Sequence, residues 1–176
     1  HSLFKFNQSF TPYLEHSIEL GRSFIQPRYQ GKRSLDYLWY GIGAYLYQHP
    51  EIRYLIGPVS LSTSWPEPAQ KVIASFYTTL FGNHKTLVDP RLPFDFELIQ
   101  EFAPFKQVAD EENYKQAYAI LKALMDDFGV KVPILYKQYV ELCQPGGCEF
   151  LGFNIDPSFS NCVDALILVH INTIKE

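Results

Sequence analysis

The run "RYLIGPVSL", residues 53–61, constrains the fold more than any other stretch of this chain. Its Tyr, Ile, Val and Leu content is that of a β-strand. Yet Gly57-Pro58 stands in its middle. Proline has no amide hydrogen to give to a ladder, and glycine weakens a strand interior, so pairing through this point must break or bulge. A sheet built from this chain therefore contains one strand that a neighbour cannot pair with normally along its whole length.

The remaining punctuation gives the order of elements. "LFKFNQSF" (3–10) alternates loosely and reads as a strand, and "SIELGRSFI" (17–25) reads as another, stopped by Pro27. After the loop "RYQGKRS", Ser34 is placed to cap a helix in which Leu35, Leu38, Trp39, Ile42 and Leu46 recur at helical spacing, ended by His49-Pro50. "PEPAQKVIASFYTTLFG" (66–82) is a helix with Pro near its start and Gly at its end. Residues 83–109 lack a clear period and read as a long connection or flap. Helices follow at 110–129, with Gly129 as its stop, and at 132–143. Strands at 148–156 and 163–171 close the chain around the turn "PSFSN". The order β, β, α, β, α, α, α, β, β over 176 residues predicts one mixed α/β domain, residues 1–176.

Bulk properties narrow the function. With 47% hydrophobic and 19% charged residues the chain is globular. A net charge of −4 argues against a general nucleic-acid binder, which is usually basic. No apolar run reaches the ~18 residues of a membrane span, so a soluble or peripheral protein is expected. Cys143, Cys148 and Cys162 are odd in number and irregularly spaced, which predicts small buried thiols in a reducing compartment, the cytoplasm. His16, His49, His84 and His170 lack companions at ligand spacing, so no metal is expected. Asp156 and Asp164 flank the last turn and read as turn or cap chemistry. The chain begins at His1 rather than Met, which suits a fragment or a tagged protein.

Against that charge, Arg22, Arg28, Lys32 and Arg33 crowd within twelve residues around Gly31, where a strand gives way to a helix. A helix N-terminus exposes unpaired amides and a partial positive charge, which suits a phosphate, and glycine lets the backbone approach it. The other reading is a solvated basic turn.

The stretch "IQPRYQGKRSLDYLWYGIGAYL" resembles the acyl-carrier-binding strand, loop and helix of GNAT-type acyltransferases. Their pattern is Arg or Gln, two residues, Gly, one residue, then Gly or Ala. Arg28 and Gly31 match it, and Arg33 stands where the last small residue would be. "ELGRSFI", the following "P-x-Y", "YLIGPVSLS" and the ending "VPILYKQYVELC…FNIDPSFSNCVDALILVHI" resemble the ornithine-lipid synthase, or hemolysin-like, branch of that fold. Glu19 and Arg22 reproduce the Glu-x-x-Arg that acyl-homoserine-lactone synthases carry on the equivalent strand.

The resemblance implies a GNAT-like mixed sheet flanked by helices and lacking its first strands, as the later part of a longer protein. It implies that strands 17–25 and 53–61 are parallel neighbours splayed near Gly57-Pro58, with a slot between them for a pantetheine arm. The donor would be the acyl-phosphopantetheine of acyl carrier protein, with no cofactor held permanently. Arg28, Gln30, Gly31, Lys32, Arg33 and Ser34 would surround its phosphate. The acceptor would be the amine of an amino acid, and the product the precursor of an aminolipid made at the inner membrane face. Glu19 would orient that amine or take its proton, or else pair with a cation. Arg22 would order the site or meet the carrier. Ser60 would protonate the leaving thiolate or bind the thioester oxygen, or else serve the turn. The rival readings are a CoA-dependent acetyltransferase and a non-catalytic, membrane-associated hemolysin-like protein.

Overall fold

The computed structural model describes residues 2–21, 24–30, 33–83, 85–106 and 111–175. Strand β1 (Phe4–Phe6) leads through a short helix α1 (Thr11–Leu14) to strand β2 (Ser17–Glu19). Helix α2 (Ser34–Gln48), strand β3 (Tyr54–Leu61) and helix α3 (Glu67–Phe81) follow. After strand β4 (Val88–Pro90) come helices α4 (Glu111–Asp127) and α5 (Ile134–Leu142), then strands β5 (Cys148–Asp156) and β6 (Cys162–His170). Two local signals hold. Pro68 lies in the first turn of α3, where its missing amide costs nothing. Gly129 takes φ +69°, the left-handed conformation that stops α4.

Strands β2, β3, β6 and β5 form one mixed sheet in that spatial order, with β2 parallel to β3 and the other neighbours antiparallel. Leu55, Val59 and Leu61 of β3 and Val163, Ala165, Ile167 and Val169 of β6 face the main core, which includes Ile73, Phe76 and Tyr77 of α3, Leu121 of α4 and Tyr136 of α5. Ile56, Leu166 and Leu168 face the other way, into a smaller core with Phe4, Phe10 and Val88. Burial on both faces explains why β3 and β6 read as nearly continuous apolar runs.

Three expectations are corrected. Only Phe4–Phe6 of the run 3–10 is strand, and it pairs antiparallel with β4 as a separate two-stranded ribbon, so the stretch 83–109 is not all connection. Among the described residues the strand expected over 17–25 covers Ser17–Glu19 alone, because the partner that would extend it reaches Gly57-Pro58. Ser34 is the first helical residue of α2, not its cap; Arg33 holds the capping position with no side-chain capping bond. All three cysteines are free and buried.

Candidate active site

The pairing of β2 with β3 runs from Ser17↔Tyr54 to Glu19↔Ile56 and closes with the Leu20 amide on the Ile56 carbonyl at 2.7 Å. At Gly57 the Leu20 carbonyl lies so close that any Cβ would collide with it, so glycine is needed for the two backbones to meet there. Tyr54 donates its amide to the His16 carbonyl at 3.1 Å, so both Tyr54 and Ile56 direct backbone groups toward β2. Alternation along the strand turns Pro58 and Ser60 the same way, and gives Gly57, Val59 and Leu61 to β6. The β3–β6 register is accordingly unbroken from Tyr54↔His170 through Pro58↔Leu166 to Leu61↔Val163. The interruption expected at Gly57-Pro58 is thus one-sided. Proline's missing amide falls on the edge that β2 has left, and the first amide facing that open edge beyond Ile56 is Ser60's.

On the sheet face opposite the main core, Ser60, Asp164 and Asn154 form one row across β3, β6 and β5. The Ser60 hydroxyl donates to Asp164 Oδ1, and the Cys162 thiol reaches Asp164 Oδ2 at 3.7 Å. Asp164 is 3% exposed, whereas Ser60 is open to solvent above it. Burial raises the Asp164 pKa, against the hydrogen bond from Ser60; the charge of Asp156 raises it further, and the Cys162 bond opposes. Burial and then Asp164 push the Cys162 thiol up to about 11, so it is a protonated donor and not a nucleophile at neutral pH. Asp156 does cap the final turn, accepting from the Ser158 amide at 2.8 Å. Asp164 does not: it is a strand residue, and its reading as turn chemistry is corrected. A lone acid in an otherwise apolar strand was the signal in the sequence; its place opposite Ser60 comes from the register alone.

Glu19 ends β2. Its neighbours Ile18 and Leu20 pack toward the main core, which places Glu19 on the face of Ile56, Ser60 and Asp164. Four residues of strand separate its row from that of Ser60, about 13 Å, so the two share a face without touching. Its carboxylate lies over Gly21, with Oε1 3.4 Å from where a Cβ would stand. Arg22, Gly31 and Lys32 lie outside the described residues.

The rest of the loop is tied internally. The Arg28 guanidinium sits 4.7 Å over the Tyr29 ring. Gln30 Nε2 donates to the Ile25 carbonyl at 3.0 Å, and the Ser34 hydroxyl donates back to the Tyr29 carbonyl. Arg33 Nε pairs with Asp36 at 2.8 Å on an exposed turn. Arg28 and Arg33 thus remain at the surface beside the start of α2. An apolar hollow of about 300 Å³ lies between β2 and α2, lined by Ile18, Leu20, Leu38, Gly41, Ile42 and Tyr45 among others. A second cavity, about 250 Å³, is lined by Tyr114, Val140, Cys143 and Cys148 among others and contains none of the residues singled out above as catalytic or donor-binding. Sequence reading also missed a His170–Glu149 pair at 2.6 Å, with Asn83 donating to Glu149, at the opposite end of β3 from Ser60. Among the described residues no group of three His, Cys, Asp or Glu is placed to hold a metal ion.

The chain is similar in sequence to known proteins. Residues 1–40 match the acetyltransferase (GNAT) domain. That segment carries β2, the basic loop and the first part of α2, the elements on one side of the split. The chain is also similar over nearly its whole length to two curated proteins, both named glycine N(alpha)-acyltransferase. The protein from Phocaeicola vulgatus is 28% identical, with 99% of this chain and 55% of that protein covered. The protein from Bacteroides thetaiotaomicron is 29% identical, with 99% of this chain and 53% of that protein covered. The chain therefore spans about half the length of these relatives. No solved structure matches it. The mixed sheet with flanking helices agrees with a GNAT-like fold.

Proposed function

We propose that this domain is the acyl-transferring part of an N-acyltransferase, moving an acyl group from a thioester donor to the amine of an amino acid. The observation that carries this is the one-sided break between β2 and β3. Beyond Ile56 it leaves a strand edge on which, among the described residues, β2 pairs no further, and an extended pantetheine arm can pair with the backbone groups there. The GNAT match to the elements beside it and the similarity to glycine N-acyltransferases support the same reading, and glycine is the acceptor those names suggest.

The chemistry follows from position. The thioester lies along the open edge of β3, level with Ser60 and beyond the point where the ladder ends at Ile56. The amine attacks the carbonyl directly, and much of the acceleration comes from holding the two together. Charge develops on the carbonyl oxygen, and the Ser60 amide is the first donor on the open edge able to meet it. The acyl chain lies in the hollow between β2 and α2, whose lining is almost wholly apolar. At the loop, Arg28, Arg33 and the first turn of α2 meet the phosphate of the carrier. Arg33 stands where a small residue would seat a CoA pyrophosphate, which favours acyl carrier protein as the donor.

The test is a side-by-side assay of the full-length protein with long-chain acyl carrier protein and with acyl-CoA, glycine as acceptor, following thiol release. We expect glycine-dependent turnover from the carrier protein. Turnover from acetyl-CoA alone would support the ordinary acetyltransferase, and no glycine-dependent release from either donor would remove the N-acyltransferase reading.

A further inference from the structure

Resting on that reading, we infer that the Ser60–Asp164 pair is the acceptor-amine subsite: Ser60 touches the amine, and Asp164 behind it positions the hydroxyl and holds the proton that the amine gives up. Three observations converge. Ser60 is exposed on the strand that borders the split, and its side chain shares a sheet face with Glu19 at the apex. Its hydroxyl donates to a carboxylate that is otherwise shut away from water. Asp156 and Asp164 both belong to this end of the face, so its charge suits an ammonium and not a second anion. The ligand class is a small primary amine carried by an amino acid.

The face is divided in a way that purely structural needs do not explain. At one end Ile56, Leu166 and Leu168 are covered by Phe4 and Phe10. At the other, one register row puts Ser60, Asp164 and Asn154 side by side, and the next puts Cys162 beside Asp156. A buried carboxyl in a central strand is costly where an apolar residue would pack. Here it lies beside the edge where substrates are expected to meet.

The step balances. The neutral amine nitrogen attacks the thioester carbon, forming the C–N bond as the carbonyl π pair moves onto oxygen. The nitrogen's proton passes to Ser60 Oγ as the hydroxyl's own proton passes to Asp164. Collapse of the intermediate breaks the C–S bond, and the thiolate leaves with the electron pair. The proton on Asp164 then returns, through Ser60, to that sulfur. The titratable groups acting on Asp164 are Asp156 at the end of β5 and Cys162 on its own strand, and Asp164 in turn bears on Tyr136 of α5 across the sheet. The raised Asp164 pKa keeps the carboxylate basic enough for the transfer.

The experiment compares the wild-type full-length protein with Asp164→Asn, Asp164→Glu, Ser60→Ala and Ser60→Thr, using long-chain acyl carrier protein and glycine. Asp164→Asn should lower kcat at least about a hundredfold with the donor KM changed less than about threefold. The acidic limb of its kcat/KM pH profile should vanish. Ser60→Thr should recover most of what Ser60→Ala loses, and Asp164→Glu should regain part of the activity. With hydroxylamine, a far weaker base than glycine, the Asp164→Asn defect should shrink. Circular dichroism checks the fold of each variant; if Asp164→Asn is unfolded, the Ser60 pair decides alone. Glycine-dependent turnover by wild type, with folded Asp164→Asn keeping its rate and pH profile, would overturn this assignment and leave the N-acyltransferase reading standing. So would Ser60→Ala at the wild-type rate. Absence of glycine-dependent turnover in wild type would overturn both.

Discussion

The amide of Leu20 donates to the carbonyl of Ile56 at 2.7 Å, and among the described residues the pairing of β2 with β3 goes no further than this bond. Two residues set that limit from the β3 side. Gly57 admits the Leu20 carbonyl to contact, and Pro58 offers no amide to a continuing strand.

The apex is therefore sensitive to one methyl group. Gly57→Ala should push β2 away from β3 and destabilise the fold by about 1–3 kcal/mol, as overpacking of a tight contact does. Gly43, in α2, has nothing within 4 Å of its would-be Cβ, and Gly43→Ala should instead gain up to about 1 kcal/mol from helix propensity. Urea denaturation of the three proteins measures both. Equal midpoints for Gly57→Ala and wild type would mean that the contact does not hold the apex.

Much of this was legible before any coordinates. Strands β3 and β6 announce themselves because inner strands with both faces covered must be apolar throughout. The order of the helices follows from 3.6-residue periodicity and its glycine and proline stops. What failed was local. Phe24 and Ile25 have strand composition, but composition cannot tell that the partner strand has run into Pro58. Strand β4 is three residues long and ends in proline, too short for a period. Asp164 looked like part of the turn after Asp156. Only the register, which places it opposite Ser60, makes it part of a site.

The basic loop makes a salt-dependent prediction. Arg28 and Arg33 stand at the surface beside the start of α2, and Arg33 shares its charge with Asp36. Replacing both arginines by Glu should weaken binding of acyl carrier protein about tenfold at low salt, with most of the change in the association rate. The difference should shrink as ionic strength rises above about 0.15 M, where the screening length is ~8 Å. Surface plasmon resonance at two salt concentrations decides it; equal affinity at low salt would assign the loop to solvent.

The hollow between β2 and α2 predicts chain-length selectivity. Gly41 lines it and has free space where a side chain would project. Gly41→Leu should fill part of the volume that an acyl chain needs. Since one methylene in an apolar pocket is worth 10-fold or more in discrimination, rates with a sixteen-carbon donor should fall at least about tenfold relative to a short-chain donor. Unchanged selectivity would place the acyl chain elsewhere.

Asp164 also predicts an unusual pH dependence of stability. Its carboxyl is harder to ionise in the fold than in the unfolded chain, mainly because it is buried. The folded state therefore binds its proton more readily, and stability falls as pH rises from the unfolded value, near 3.8, through the raised folded value. The penalty of burying the charge grows until the pH passes the folded value. Asn at this position keeps an oxygen that can accept from Ser60 and carries no charge to bury. Asp164→Asn should thus unfold at a higher denaturant midpoint than wild type at pH 7, and the gap should narrow toward pH 4. Equilibrium unfolding of both proteins at these two pH values measures it. Lower stability of the variant at pH 7 would show that the folded site favours the charged carboxylate, the reverse of what its burial implies. A more stable variant that has lost glycine-dependent turnover would mean that this carboxylate is kept for chemistry at the expense of stability, as strained or desolvated site groups commonly are.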